Sequence, residues 1–107
     1  MPIDALAIAP TRRSEPRVAF SSVVEAGLAR PGEHLVDAGR RHSALVRADG
    51  ALAAGPAVGS IHKIGALVQG LPACNGWTFW HVERDGRLTS IDDLRAAMRA
   101  TMREAAE

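Results

Sequence analysis

The sequence has no tyrosine, a single cysteine, two phenylalanines and two tryptophans. One thiol rules out an internal disulfide and any zinc site built on several cysteines. Much of the 47% apolar content is alanine, so a core must rest on a handful of large side chains. Each aromatic is therefore a core candidate before it is a ligand candidate. Charge of neither sign is in excess: 13 basic and 12 acidic residues leave a net +1, a balance that does not by itself mark a nucleic-acid binder. No apolar run approaches the roughly 18 to 20 residues of a membrane span. Residues 1–9 lack the basic segment and apolar core of a secretory signal. The expectation is a cytoplasmic, reducing setting with no membrane partner.

A catalytic constellation is missing too. Four histidines are scattered, and none forms the His-x-x-x-His pair that would offer two ligands on one helix face. The glycines between residues 55 and 59 match neither the Walker nor the Rossmann pattern. Cys74 is set beside no histidine by spacing, and a free cysteine is commonly a small buried apolar residue.

What is present fits one domain, since 107 residues are short of what two would need. Residues 1–17 read as a linker: Pro2, Pro10 and Pro16 interrupt a polar stretch with no apolar period. Residues 18–107 form the domain. Residues 18–20 read as an extended lead-in. Ser22 and Glu25 fit a capping box, predicting a helix over residues 23–29 that stops before Pro31-Gly32. Short strands follow at residues 34–37, 42–47 and 51–54, with Asp49-Gly50 as a hairpin signal, and residues 55–59 read as a loop. Ser60 is a predicted N-cap, and Ile61, Ile64, Leu67 and Val68 repeat at helical spacing until Gly70 and Pro72. Asn75-Gly76 then reads as a tight turn into an aromatic strand. Alternation would put Trp77, Phe79 and His81 on one strand face, and Thr78, Trp80 and Val82 on the other. After Asp85-Gly86, with Leu88 in a brief return, Ser90 and Asp93 cap a helix to about residue 105, with Ile91, Leu94, Met98 and Met102 as its apolar stripe. The fold class expected is α+β: an antiparallel sheet of short strands packed with about three helices.

Within that frame the binding cues are individually weak. All but one of the basic residues are arginine, the cation suited to bidentate phosphate and base contacts. Arg95, Arg99 and Arg103 fall at i+4 spacing as a basic ridge, although a solvated helix face explains them equally. Trp77 or Trp80 can stack on a base, or pack in the core. Asn75 can reach a base edge, or serve only the turn.

Longer motifs are more specific. Gly59-Ser-Ile-His-Lys-Ile-Gly-Ala-Leu-Val-Gln69, Ala73-Cys-Asn-Gly-Trp-Thr-Phe-Trp-His81 and Ser90-Ile-Asp-Asp-Leu-Arg95 resemble the C-terminal domain of the alphaproteobacterial cell-cycle-regulated DNA adenine-N6 methyltransferases. That domain is the restriction-adenine-methylase-associated, or RAMA, domain. Arg13-Ser-Glu-Pro-Arg17, Ala26-Gly-Leu28, Pro31-Gly32 and Val46-Arg-Ala-Asp-Gly50 match as well, so the resemblance runs from about residue 12 to the end. It implies a module behind a methyltransferase domain that helps bind DNA, commonly at a GANTC-type site. By resemblance, Ser60 and Asn75 would supply hydrogen bonds, Trp77 a stacking or packing surface, and Arg95 a phosphate or base contact. Lys63, Arg99 and Arg103 are the further candidates for the DNA backbone.

The same resemblance implies what this chain cannot do alone. The family's chemistry needs an Asp-Pro-Pro-Tyr-type motif for the target adenine and a Phe-x-Gly-x-Gly pattern for S-adenosylmethionine. This sequence has no tyrosine, no Pro-Pro pair and no such glycine pattern. No cofactor is expected in this chain, and S-adenosylmethionine belongs to the parent enzyme. The implied partners are DNA, in a bacterial nucleoid setting, and a methyltransferase catalytic domain in cis or in trans. The competing expectation is a protein-interaction module, with the last helix mediating homodimerisation or docking to the catalytic domain.

Overall fold

The computed structural model describes residues 18–106; the expected linker, residues 1–17, lies outside them. In chain order the elements are α1 (Phe20–Glu25), β1 (His34–Val36), β2 (Ser43–Val46), β3 (Leu52–Ala54), β4 (Ala57–Gly59), α2 (Ile61–Gln69), α3 (Gly76–Phe79), β5 (His81–Arg84), β6 (Arg87–Ser90) and α4 (Ile91–Ala106). The six strands make one sheet in the order β4-β3-β2-β1-β5-β6, every adjacent pair antiparallel. The fold class is α+β, as the alternation of short strand and helix signals predicts.

Register explains which sheet face is covered. Leu35 lies opposite both Ala44 and Val82, and Val46 lies opposite Leu52. Cross-strand partners share a face, and these five residues are all buried. With Val23, Ile61, Ile64, Trp80 and Ile91 from the helices they form the core. The opposite face carries the exposed His34, Leu45 and Val58. The helices therefore cover one side of the sheet and leave the other to solvent.

Several local expectations are corrected. The first helix is Phe20–Glu25, not residues 23–29, and its N-cap is Ala19, with no side-chain cap. Ser22 lies inside it, and its N–H bonds to the Ala19 carbonyl at 3.0 Å. Burial of Phe20, Val23 and Val24 on one helical face outweighs the preference of Ser22 for a cap. Residues 55–59 are not all loop. They hold a turn and then β4, paired with β3 through Ala54↔Ala57, Ala53↔Val58 and Leu52↔Gly59. The small residues there mask a strand that has little side chain to show.

The largest correction concerns residues 75–80. Asn75 does not lead directly into a strand; it caps the single turn α3, and the strand begins only at His81. Trp77 lies on that turn, and Trp80 follows it as the extended residue at its C-terminal cap. Both point inward, 8% and 0% exposed, whereas strand alternation would have set them on opposite faces.

Candidate functional site: the Trp77–Arg95 face

The face is built around the first turn of α2. Ser60 caps it as predicted: its Oγ accepts from the Lys63 N–H at 3.0 Å, satisfying one of the orphan donors of a helix start. Ile61 and Ile64 are buried beneath. Gly65 leaves room on the same helix, since a Cβ there would sit 2.8 Å from Cys74 Sγ and 3.4 Å from Trp80 Nε1.

α3 is stapled to that turn by two hydrogen bonds. The buried Trp80 indole N–H donates to the Ile61 carbonyl at 3.0 Å. The Gly76 N–H donates to His62 Nδ1 at 2.9 Å. The approach is close enough that only glycine fits at position 76: a Cβ would stand 2.5 Å from the Ile61 carbonyl oxygen. Asn75 Oδ1 accepts from the Trp77 N–H at 3.1 Å, so that oxygen serves the cap of α3. Cys74 Sγ receives a 3.4 Å contact from Gln69 Nε2 and makes no pair with a histidine.

α4 closes the site from the other side. Ser90 caps it, its Oγ accepting from the Asp93 N–H at 3.1 Å. One turn later the Arg95 guanidinium carbon lies 4.3 Å from the Trp77 ring centroid. Phe20 meets Trp77 edge-on, with centroids 6.1 Å apart. Trp77 is thus held between a cation and a second aromatic, an arrangement that favours the positive guanidinium over the negative ring face. Arg95 also donates through Nη2 to Asp92 Oδ1. Its Nε is buried and has no hydrogen-bond partner, while the side chain as a whole is 23% exposed.

Three open grooves run side by side across this face. One, of about 510 Å³, is lined by His62, Trp77, Arg95 and Arg99 with Val18 and Ala19. The next, of about 420 Å³, includes Ser60, His62 and Trp77 and reaches the Asp49-Gly50 turn. The third includes Ser60, His62, Lys63 and Cys74. Of the residues expected at a site, the fold therefore brings Ser60, Trp77, Arg95, Lys63 and Arg99 to one side. Asn75 and Arg103 line none of these grooves. The face also contains a residue that sequence reasoning passed over, His62. Its position two residues after a cap carries no signal, because its partner Gly76 is fourteen residues away.

Displaced carboxylates lie mostly elsewhere. Burial pushes the Glu33 carboxyl up, but hydrogen bonds from Arg84 and the Arg30 N–H outweigh it and hold the pKa below the ordinary range. Asp37 follows the same pattern: burial raises it, and the N–H groups of His42 and Arg41 more than compensate. Asp49, at the groove edge, is lowered by the Ala51 N–H and by Arg47. Among the described residues no group of three or more His, Cys, Asp or Glu could hold a metal ion, and no helix is long and apolar enough to cross a membrane.

Comparison with known proteins gives two findings. The profile of a family described as Restriction Enzyme Adenine Methylase Associated (RAMA) matches residues 3–104. The type II methyltransferase M.HinfI of Haemophilus influenzae is 29% identical over 80 residues, which is 75% of this chain and 22% of that protein. The chain thus spans about a fifth of the length of this relative.

Proposed function

This chain belongs to the RAMA family, and from that premise we propose that it is the DNA-binding module of an adenine-N6 methyltransferase. In this reading it holds substrate DNA while S-adenosylmethionine-dependent chemistry occurs in a catalytic domain, in cis or in trans. The cell-cycle-regulated alphaproteobacterial enzymes and their GANTC-type sites are the parentage we infer from the sequence motifs.

The observation that carries the reading is the convergence of Ser60, Trp77, Arg95 and Arg99 on one grooved face. Arginine on a partly exposed helix ridge suits phosphate oxygens. Methylation requires the adenine to leave the base stack, so a second domain that grips a displaced or opposite strand has a physical task. Trp77, buried beneath Arg95, acts in this reading chiefly by presenting the guanidinium. Asn75 acts by fixing the turn that carries Trp77. Lys63 and Arg103 extend the cationic border. Leu67 and Leu71, 54% and 50% exposed, offer apolar surface for the catalytic partner.

The test is a binding titration of the chain with duplex DNA containing the site, at two salt concentrations. Low net charge sets the expectation of a modest salt slope. Trp77→Ala, Asn75→Ala and Arg95→Ala should each weaken binding. If all three leave affinity and slope unchanged, the assignment of this face is wrong.

A further inference from the structure

Resting on the DNA-binding reading, we propose that His62 is a further contact residue, donating a hydrogen bond from Nε2 to a phosphate oxygen of the bound DNA. The position of His62 is the first reason. It is the one residue shared by all three grooves, so any strand laid across the face passes over it. It is also solvent-exposed.

Its hydrogen bonding is the second reason. Nδ1 accepts from the Gly76 N–H at 2.9 Å, so in the neutral ring Nδ1 carries no proton and Nε2 must carry one. The two nitrogens point away from each other across the imidazole. Gly76 therefore fixes both the tautomer and the ring orientation, and leaves a single donor available. A phosphate oxygen only accepts, so a preset donor matches it without choosing among bases. Nearby, the Ser60 hydroxyl oxygen already accepts from Lys63 and Arg95 is drawn to Asp92. His62 is thus a neutral donor among cations on this face, beside the Ser60 O–H, and the one whose direction a backbone partner fixes.

The neutral charge gives the proposal a signature. Loss of an arginine contact to phosphate lowers affinity and reduces the salt slope by about 1. Loss of a neutral donor lowers affinity at every salt concentration and leaves the slope alone, because no counterion is released. A hydrogen bond to a charged group implies a loss of roughly tenfold.

Two substitutions separate contact from support. His62→Asn keeps an acceptor oxygen where Nδ1 stood and removes the Nε2 donor. It should keep the melting temperature near that of the parent chain, weaken DNA binding about tenfold and preserve the salt slope. His62→Gln places an amide donor near the Nε2 position and abandons Gly76. It should lose thermal stability and retain more affinity than His62→Asn. Titration of the unaltered chain with duplex, followed by nitrogen-15 NMR of the imidazoles, should shift the His62 Nε2–H resonance. This last measurement decides the matter if His62→Asn fails to fold. Unchanged affinity in His62→Asn, or an Nε2–H resonance indifferent to DNA, overturns the proposal while the DNA-binding reading stands. No salt-sensitive binding by the unaltered chain overturns both.

Discussion

Two arginines in this small domain sit in opposite circumstances. Arg84, at the end of β5, spends its donors on the protein. Its Nε bonds to Glu33 Oε2 at 3.1 Å, and its Nη2 bonds to Glu33 Oε1 at 2.9 Å and to the Leu28 carbonyl at 2.8 Å. Arg95 on α4 makes one ion pair, lies over Trp77 and keeps a buried Nε with no acceptor. The first arginine ties the segment after α1 to the sheet. The second is held in place without being used up. Equal charge at two surfaces thus has different meanings, and only the hydrogen-bond inventory separates them.

The largest expected effect comes from removing what Arg95 rests on. Trp77→Ala deletes a buried indole and should cost about 3 to 5 kcal/mol in a denaturant titration. Trp77→Phe should recover most of that stability, because it keeps the contact with Phe20 and a ring beneath the guanidinium.

Exchanging the roles of the two arginines comes next. Arg95→Ala should weaken DNA binding about tenfold and cut the salt slope by about 1, with a loss of about 1 kcal/mol in stability from the cation–aromatic contact. Arg84→Ala should leave DNA affinity alone and lower stability by about 1 kcal/mol, because solvent screens a pair whose arginine is 44% exposed. Equal effects of the two substitutions on DNA affinity would erase the distinction drawn between them.

The smallest effect is a matter of pH. Glu33 has its pKa lowered in the folded state, so the native chain binds fewer protons there than the unfolded chain. The stabilisation is complete above the unfolded carboxylate pKa and is lost as pH falls through the folded one, below roughly pH 4.5. Melting curves across that window should show a shallower acid decline for Glu33→Gln than for the parent. Asp37 is displaced in the same direction, so part of the decline should persist.

How much of this was legible in the sequence depends on distance along the chain. The caps at Ser60 and Ser90, the Asp49-Gly50 turn and the apolar stripe of α4 from Ile91 through Leu94 to Met98 follow from local chemistry, and the structure has them where the residues imply. Met102, expected on the same stripe, is exposed. The segment Asn75-Gly-Trp-Thr-Phe-Trp80 did not read correctly. Asn before Gly suits a turn and a helix cap equally, and two tryptophans three apart satisfy a helical face as readily as they break a strand pattern. Only the docking of Gly76 on Ile61 and His62 decides between them, and it is set by α2. The pairing of Trp77 with Arg95 is likewise out of reach of spacing, since the residues belong to different helices. Ser60, Trp77, Arg95, Lys63 and Arg99 were each visible as residue types. Their arrival on one face was not.

The passage from sheet to last helix has a consequence for the phase of that helix. Ser90 ends β6 and Ile91 begins α4 with nothing between, and the Ile91 N–H is anchored to the Trp80 carbonyl at 3.0 Å. With no slack at the junction, the angular setting of α4 is dictated by the strand. One residue added there would turn every later side chain by about 100° about the helix axis. Arg95 would leave Trp77, and Arg99 would leave the groove, although each would still occupy a helix of the same length and charge. The ridge functions as a keyed shaft: its teeth engage at one rotation only, and Ser90 holds the key.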